Sequence, residues 1–168
     1  SNVMSRVAKM HFMSNEALSA QPQIPLEKVG RTLAHLRAAV RDYGRVVYSS
    51  SLGAESMVLT DLIWTEVPEI VIFTLDTGRL HEETRSVIER LERRYQRRMK
   101  VYSPDPASIE PWVQKNGING FYDSIENRQG CCHIRKIEPF RRAIAGAGAW
   151  VTGSGRPPCR PRCRTGPA

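Results

Sequence analysis

The chain has 168 residues, which is enough for one domain with its own hydrophobic core. Hydrophobic residues make up 40% and charged residues 25%, as in ordinary globular proteins, and the sequence has no run of about eighteen apolar residues that could form a transmembrane helix. The formal net charge of +8 favours anionic partners, and the N-terminal residues lack an apolar signal core, so we expect a cytoplasmic protein.

Helical periodicity appears in three segments after residues 1–25, which we expect to be a loose arm. The first helix is predicted from Leu26 to Tyr43, with Gly44 as its stop. The second runs from Ala54 to the residue before Pro68, and the third from His81 to Gln96. The residues predicted to face inward are Leu26, Val29, Leu33, Leu36, Val40 and Tyr43 in the first helix, Val58, Leu59, Leu62 and Ile63 in the second, and Val87, Ile88, Leu91 and Tyr95 in the third.

Four short, mostly apolar runs are predicted to be strands, namely RVVYS, EIVIFTLD, MKVYSP and AWVTG. Strands that alternate with helices predict an α/β fold with a mainly parallel sheet flanked by helices. A short helix is also predicted around Ile109–Lys115. We therefore expect three parts: the arm of residues 1–25, an α/β domain of residues 26–153, and a tail of residues 154–168 whose Arg and Pro content predicts an extended or disordered segment.

The turn SSSLGAES follows the first predicted strand and offers four serine hydroxyls, those of Ser49, Ser50, Ser51 and Ser56. Gly53 would let the backbone turn and approach a ligand, and the N–H groups of the helix that starts near Ala54 would attract an anion. A serine-rich helix cap explains the same residues equally well. The turn is neither a Walker P-loop nor a G-x-G-x-x-G motif.

A second polar turn, LDTG, follows the strongest predicted strand, and a third, TGSGR, follows the last one. Ligands of doubly wound folds bind beyond the carboxyl ends of the strands, where all three turns would lie. Asp76 and Thr77 could bond to a base or a ribose, and Gly78 would permit close approach. An ordinary capping turn is the competing interpretation of these residues.

The adjacent residues Cys131 and Cys132, followed by Arg135 and Lys136, suggest either two thiolates offered to a metal or an iron–sulfur cluster, or simply two buried free thiols. Nearby cations would stabilise a negatively charged cluster or substrate. His81 and His133 are interpreted as partly exposed turn histidines, and the basic run Arg90–Lys100 as a solvated helix face, which disfavours nucleic-acid binding there.

Together, SSSLGAES, LDTGRLHEET, GCCHIRKIEPFRRAI and WVTGSGR resemble the assimilatory adenylyl-sulfate and phosphoadenylyl-sulfate (APS and PAPS) reductases, over about Leu26 to Gly153. The CC-x-x-R-K-x-x-P stretch points to the iron–sulfur branch, which usually takes APS. The resemblance implies the ATP-pyrophosphatase-like α/β fold. It also implies that the sulfate and phosphate end of APS is bound by the first turn, whose residues are Ser49, Ser50, Ser51, Leu52, Gly53, Ala54, Glu55 and Ser56.

Further roles follow from the same resemblance. The turn Leu75, Asp76, Thr77 and Gly78 would hold the adenosine, and Gly153 and Arg156 would belong to a substrate loop that the family writes T-G-x-R. Cys131 and Cys132 would supply two of the four ligands of a [4Fe–4S] cluster, and Lys136 would link that cluster electrostatically to the substrate. The family reaction reduces APS or PAPS to sulfite and AMP, with thioredoxin as electron donor, in sulfate assimilation and cysteine biosynthesis.

The sequence departs from the family after Gly153. The family's C-x-x-C pair and its nucleophilic cysteine in a Lys-Glu-Cys-Gly-type motif are not found, and Cys159 and Cys163 form C-x-x-x-C among prolines and arginines. We therefore assign no catalytic residue and expect a truncated or frameshifted reductase with an incomplete cluster. Sequencing the source DNA tests this expectation, because a frame that stays open through the tail with no better continuation would refute it.

Two other functions stay open. One is an ATP pyrophosphatase or sulfurtransferase, although those enzymes usually carry S-G-G-x-D-S, where this chain has Leu52 and Glu55. The other is a non-catalytic module with a cysteine-bound metal and a nucleic-acid-binding tail. Self-association and the choice between APS and PAPS are left undecided by the sequence.

Overall fold

The structure, a computed structural model, describes residues 26–153. The predicted arm and tail, with Arg156, Cys159 and Cys163, lie outside the described residues, so the predictions made for them stay predictions. The chain divides into two units, residues 1–32 and residues 33–168. Of the first unit the structure describes Leu26 to Thr32, which are helical.

The described residues alternate helices and strands along the chain. In order, the elements are α1 (Leu26–Tyr43), β1 (Val46–Ser49), α2 (Ala54–Glu66), β2 (Val71–Leu75), α3 (Glu82–Tyr95), β3 (Lys100–Tyr102), α4 (Pro106–Asn116), a 3₁₀ turn (Gly120–Tyr122), α5 (Ile125–Cys132), a π segment (His133–Ile137), α6 (Glu138–Ile144) and β4 (Ala149–Val151). No helix of this part of the chain is both long and apolar enough to cross a membrane.

The four strands form one sheet in the order β3-β2-β1-β4, and every neighbouring pair is parallel. Val47 in β1 is in register with Val71 in β2 and with Trp150 in β4. The predicted α/β fold with a parallel sheet is therefore confirmed. Because all strands point the same way, the turns that follow them meet at one edge, which we call the carboxyl edge.

The core lies on the two central strands. Val46, Val47 and Tyr48 in β1 are at most 1% exposed, as is Phe73 in β2. Val47 and Phe73 pack together with Ala143 of α6. Such continuous apolar runs are the sequence signature of strands that are covered on both faces, so the sequence alone predicts these two strands.

Two details of the predicted helix faces are wrong. On α2 the buried residues are Ser56, Thr60, Ile63 and Trp64, and Val58 is exposed. The helix therefore turns a face with two hydroxyl residues towards the core, and not the more apolar face that the sequence predicts. The hydroxyl of Ser56 on this face is hydrogen-bonded to Ser51 in the preceding turn. On α1, Leu33 and Leu36 are buried as expected, whereas Leu26 and Tyr43 are exposed. On α3 the predicted side is only partly buried.

Helix α5, the π segment and α6 follow one another without a break from Ile125 to Ile144. Ser124 caps the start, since its side chain accepts a hydrogen bond from the Asn127 amide. The π segment ends at Ile137, two residues before Pro139, which has no N–H to continue an α-helical hydrogen-bond ladder. This long helical stretch carries both cysteines and the cations Arg135 and Lys136.

Candidate functional site

A cleft of about 640 Å³ opens at the carboxyl edge of the sheet. Its size falls within the range of ordinary small-molecule sites. Ten of the residues predicted to bind a ligand line it, namely Ser49, Ser50, Ser51, Leu52, Glu55, Ser56, Leu75, Thr77, Lys136 and Gly153. The fold thus brings the turns after β1, β2 and β4 into contact with one cavity.

The other predicted residues lie close in sequence but do not line the cleft. Gly53, Ala54, Asp76 and Gly78 belong to the same turns, and Cys131 and Cys132 lie on the neighbouring helix. Five lining residues were missed by the sequence reasoning, namely Thr74, Leu80, Thr84, Trp150 and Thr152. Strand periodicity could have found one pair, because Trp150 and Thr152 are two residues apart and project on the same side.

We call residues Ser49–Ser56 the serine loop. The Ser51 and Ser56 hydroxyl oxygens are 2.6 Å apart, and the Ser51 amide donates to the Ser56 hydroxyl at 3.2 Å. The Leu52 amide donates to the Ser50 hydroxyl at 3.3 Å. The loop is therefore held by its own side chains, and its serines have structural partners in addition to any ligand.

The sequence predicts that the serine loop turns at Gly53, and this prediction is wrong. The sharp turn is at Leu52. Leu52 has a positive φ of 61°, while Gly53 is extended at φ −78° and ψ 168°. A left-handed leucine is uncommon and typical of functional loops that the surrounding structure holds in place. Gly53 is instead the N-cap of α2 and has no side chain to cap it, so the first N–H groups of this helix are free of a side-chain cap.

We call Leu75–Gly78 the LDTG turn. The Asp76 carboxylate accepts from the Gly78 amide at 2.8 Å, and the Thr77 hydroxyl accepts from the Arg79 amide at 3.3 Å. Gly78 has a φ of +70°, which favours glycine. The turn does not cap α3, because the N-cap of that helix is His81. Asp76 also lies 3.6 Å from the guanidinium of Arg85.

The serine loop and the LDTG turn are joined to each other through β2. The Thr74 hydroxyl donates to the Ser50 carbonyl at 3.0 Å, and the Ser50 amide donates to the Phe73 carbonyl at 2.8 Å. Thr74 and Ser50 are each 3% exposed. The two turns are therefore fixed against one another by nearly buried groups at the wall of the cleft.

Positive charge reaches the cleft from the π segment. Lys136 lines the cavity, and Arg135 donates from Nη1 to the Thr77 carbonyl at 2.6 Å. Glu55 is the one acidic residue that lines the cleft in the described part of the chain. Behind the serine loop, the Tyr48 hydroxyl donates to the Ser56 carbonyl at 3.4 Å, and burial raises the pKa of Tyr48 above its usual value.

The two cysteines end α5, with Cys131 buried and Cys132 exposed. A [4Fe–4S] cluster needs four thiolates or equivalent ligands. Residues 26–153 contain only these two cysteines, and nowhere in that range do three or more His, Cys, Asp or Glu side chains converge as a metal site would require. The described residues thus offer at most two of the four cysteines that such a cluster needs, and they do not form a complete site.

The chain is similar to known proteins along most of the described region. Residues 45–159 match the family described as the phosphoadenosine phosphosulfate reductase domain. The adenosine 5'-phosphosulfate reductase of Allochromatium vinosum is 51% identical over 118 residues, which are 70% of this chain and 46% of that protein. The proteins of the same name from Burkholderia cepacia and Neisseria meningitidis serogroup B are 44% and 47% identical over 77% of this chain, and over 52% and 53% of their own lengths. The chain thus spans about half the length of the curated relatives it matches.

Proposed function

Because the chain belongs to the phosphoadenosine phosphosulfate reductase domain family, we propose that its cleft binds APS for reduction to sulfite and AMP. One observation carries this proposal: the serine loop, the LDTG turn and Lys136 line a single cavity at the carboxyl edge of a parallel sheet. The three relatives are adenosine 5'-phosphosulfate reductases by name, which favours APS over PAPS as the substrate. The thiol donor would be thioredoxin, as the family resemblance implies.

In this proposal the serine loop and Lys136 hold the anionic sulfate and phosphate end. The free N–H groups at the start of α2 and the hydroxyls of the loop are hydrogen-bond donors, and Lys136 adds a positive charge. These groups would lower the repulsion between the substrate and an attacking thiolate. The LDTG turn, which follows β2, would hold the adenosine. Gly153 follows β4, on the other side of β1 from β2, and would belong to the substrate loop.

The proposed reaction is a two-electron reduction. A cysteine thiolate attacks the sulfur of APS, the sulfur–oxygen bond to the phosphate breaks, and AMP leaves with the bonding electron pair. A second thiol then attacks the resulting S-sulfonate, releasing sulfite as a disulfide forms. We assign no nucleophile among residues 26–153, because neither of their cysteines lines the cleft. Residues 26–153 are therefore expected to provide the binding of APS and not the attacking thiol.

We also propose that Cys131 and Cys132 contribute two thiolates to an iron–sulfur cluster, with the remaining ligands coming from outside the described residues. The adjacent thiols and the nearby cations support this assignment. Iron and acid-labile sulfide that co-purify with the full chain and are lost in Cys131→Ser would support this assignment. Stoichiometric zinc without sulfide would contradict the cluster and favour a metal-bound, non-catalytic module.

Titration calorimetry of the full chain with APS, PAPS, AMP and ATP tests the binding proposal. We expect APS to bind, and Lys136→Met to weaken APS binding more than AMP binding, because Lys136 is proposed to contact the sulfate group, which AMP lacks. Lys115→Met, which removes an exposed lysine from the last turn of α4, is the matched control and should change neither affinity. Binding of ATP without binding of APS would contradict the proposal and favour an adenylating enzyme of the same fold.

A further inference from the structure

We propose that Arg135 is a positioning residue for nucleotide binding. Its guanidinium holds the LDTG turn in the conformation that meets the ligand, and residue 78 is a glycine so that the guanidinium can reach the turn. This inference rests on the proposed function of the cleft, since the turn must bind a ligand for its position to matter.

The contact between Arg135 and the turn is direct and crosses a long stretch of sequence. Arg135 Nη1 donates to the Thr77 carbonyl at 2.6 Å, although the two residues are 58 positions apart. A Cβ atom placed on Gly78 would lie only 3.1 Å from the same nitrogen, and Gly78 adopts a φ of +70°. Any larger residue there would be strained and would press on the guanidinium.

Arg135 and Lys136 are neighbours in the π segment, but their side chains make different contacts. Lys136 lines the cleft, whereas Arg135 does not and instead bonds to the backbone of the turn. Arg135 Nε is buried and has no hydrogen-bond partner among the described residues, and no carboxylate of residues 26–153 forms an ion pair with this guanidinium. The side chain is thus fixed to the turn by a charged donor, and this class of bond is stronger than a neutral one.

The structure contains a second arrangement of the same kind away from the cleft. Arg45 Nη1 donates to the Ala145 carbonyl at 2.7 Å. The next residue, Gly146, has a φ of +70°, and a Cβ atom there would lie 3.1 Å from Arg45 Nη1. None of these three residues lines the cleft. This pair offers a matched control in which the same contact is removed without a ligand nearby.

Binding of AMP and APS to the full chain tests the proposal. Arg135→Met should weaken both ligands by a common factor of about ten or more, the loss expected for one hydrogen bond to a charged donor. Both ligands contain adenosine, so a common factor reports on the turn. Lys136→Met, by contrast, should weaken APS binding more than AMP binding. Arg45→Met should leave both affinities at their wild-type values.

Amide hydrogen exchange in the ligand-free protein supplies a readout that does not need binding. Arg135→Met should speed exchange at the Gly78 and Arg79 amides, whose bonds hold the turn together. If wild type binds neither AMP nor APS, the proposed function of the cleft fails, and the exchange rates still decide whether Arg135 fixes the turn. Unchanged exchange at both amides overturns the role of Arg135.

Gly78→Ala breaks the same contact from the other side and covers the case in which Arg135→Met does not fold. We expect it to weaken AMP and APS binding as Arg135→Met does, with no further loss in the double variant. Gly146→Ala imposes the same backbone strain outside the cleft. If Gly78→Ala weakens AMP binding no more than Gly146→Ala does, Arg135 is not a positioning residue.

Discussion

The serine loop and the LDTG turn follow adjacent strands of one sheet and line the same cleft, but they are held in different ways. The serine loop is fixed mainly by its own hydroxyls, with Ser51 bonded to Ser56 over five residues. The LDTG turn has local bonds as well, but its Thr77 carbonyl is bonded by Arg135 from the π segment. A site can therefore combine one half built locally with another half completed by a distant part of the chain.

The largest effect is expected from Ser56→Ala, which tests whether the serine loop depends on its own side chains. This change removes the acceptor of the Ser51 amide and the partner of the Ser51 hydroxyl, and Ser56 is buried. We expect the free energy of unfolding to fall by about 2 kcal/mol and APS binding to weaken. Urea denaturation and calorimetry measure the two effects.

Ser86→Ala is the control for Ser56→Ala, because the Ser86 hydroxyl donates to the Glu83 carbonyl on the surface of α3. It should cost no more than about 0.5 kcal/mol. Equal losses in the two variants would show that the serine loop does not depend on its internal bonds.

Thr74→Val should have the next largest effect, since it removes the bond that joins the two turns. The Thr74 hydroxyl donates to the Ser50 carbonyl, so the shape-conserving valine leaves a buried carbonyl with one donor fewer. We expect a loss of about 1.5 kcal/mol in the free energy of unfolding, measured by urea denaturation.

Thr60→Val is a close control for Thr74→Val. Thr60 is also fully buried, but its hydroxyl has no hydrogen-bond partner among the described residues. Valine there should be neutral or stabilising, because an unpaired buried hydroxyl is removed. A similar destabilisation at both positions would mean that the link between the turns contributes nothing specific.

Leu52→Gly addresses the strained backbone of the serine loop and should change stability only slightly. Glycine relieves the left-handed φ of 61°, while the partly buried leucine side chain is lost, so we expect a net change within about 0.5 kcal/mol. APS binding should weaken, because the loop becomes freer before the ligand arrives.

Gln96→Gly serves as the reference for Leu52→Gly, as Gln96 has a φ of 51° at the exposed C-cap of α3. It should stabilise the protein by about 0.5–1 kcal/mol without affecting APS affinity. Tighter APS binding in Leu52→Gly would contradict the prediction that the strained loop already has its binding conformation before APS arrives.

The smallest effect is a pH dependence from Tyr48, which packs behind the serine loop. Burial raises its pKa in the folded state, so above pH 10.0, the ordinary value for tyrosine, the unfolded chain loses its phenolic proton first. The contribution of Tyr48 to stability is present below that pH and is lost as the pH rises through the folded-state pKa. Tyr48→Phe removes the bond to the Ser56 carbonyl, so it should cost about 0.5 kcal/mol at neutral pH and then lose less further stability than wild type in alkaline urea titrations.

Tyr95 is the comparison for Tyr48. Burial, followed by its hydrogen bond to Asp61, raises the pKa of Tyr95 to about 12, and the residue does not line the cleft. Tyr95→Phe should lose less stability than wild type as the pH rises towards about 12, and it should leave APS affinity unchanged. A weakening of APS binding in Tyr95→Phe would contradict the separation of Tyr95 from the cleft.

The sequence by itself determined the fold class and most of the candidate site. The β-branched runs of β1 and β2 mark buried strands because they must be apolar on both faces, and the polar turns after them could be located by their position alone. The order of these turns, together with the cysteine pair, also carried the resemblance to the reductase family.

Only the tertiary structure decided which groups meet at the cleft. The contact of Arg135 with Thr77 spans 58 residues, so no local pattern reports it. The burial of Thr74, the rotation of α2 and the positive φ of Leu52 depend on bonds between hydroxyls and backbone, which hydrophobic periodicity does not register. Local sequence sets where a strand or a turn forms, while the packing of helices on the sheet sets which turns meet and what holds them.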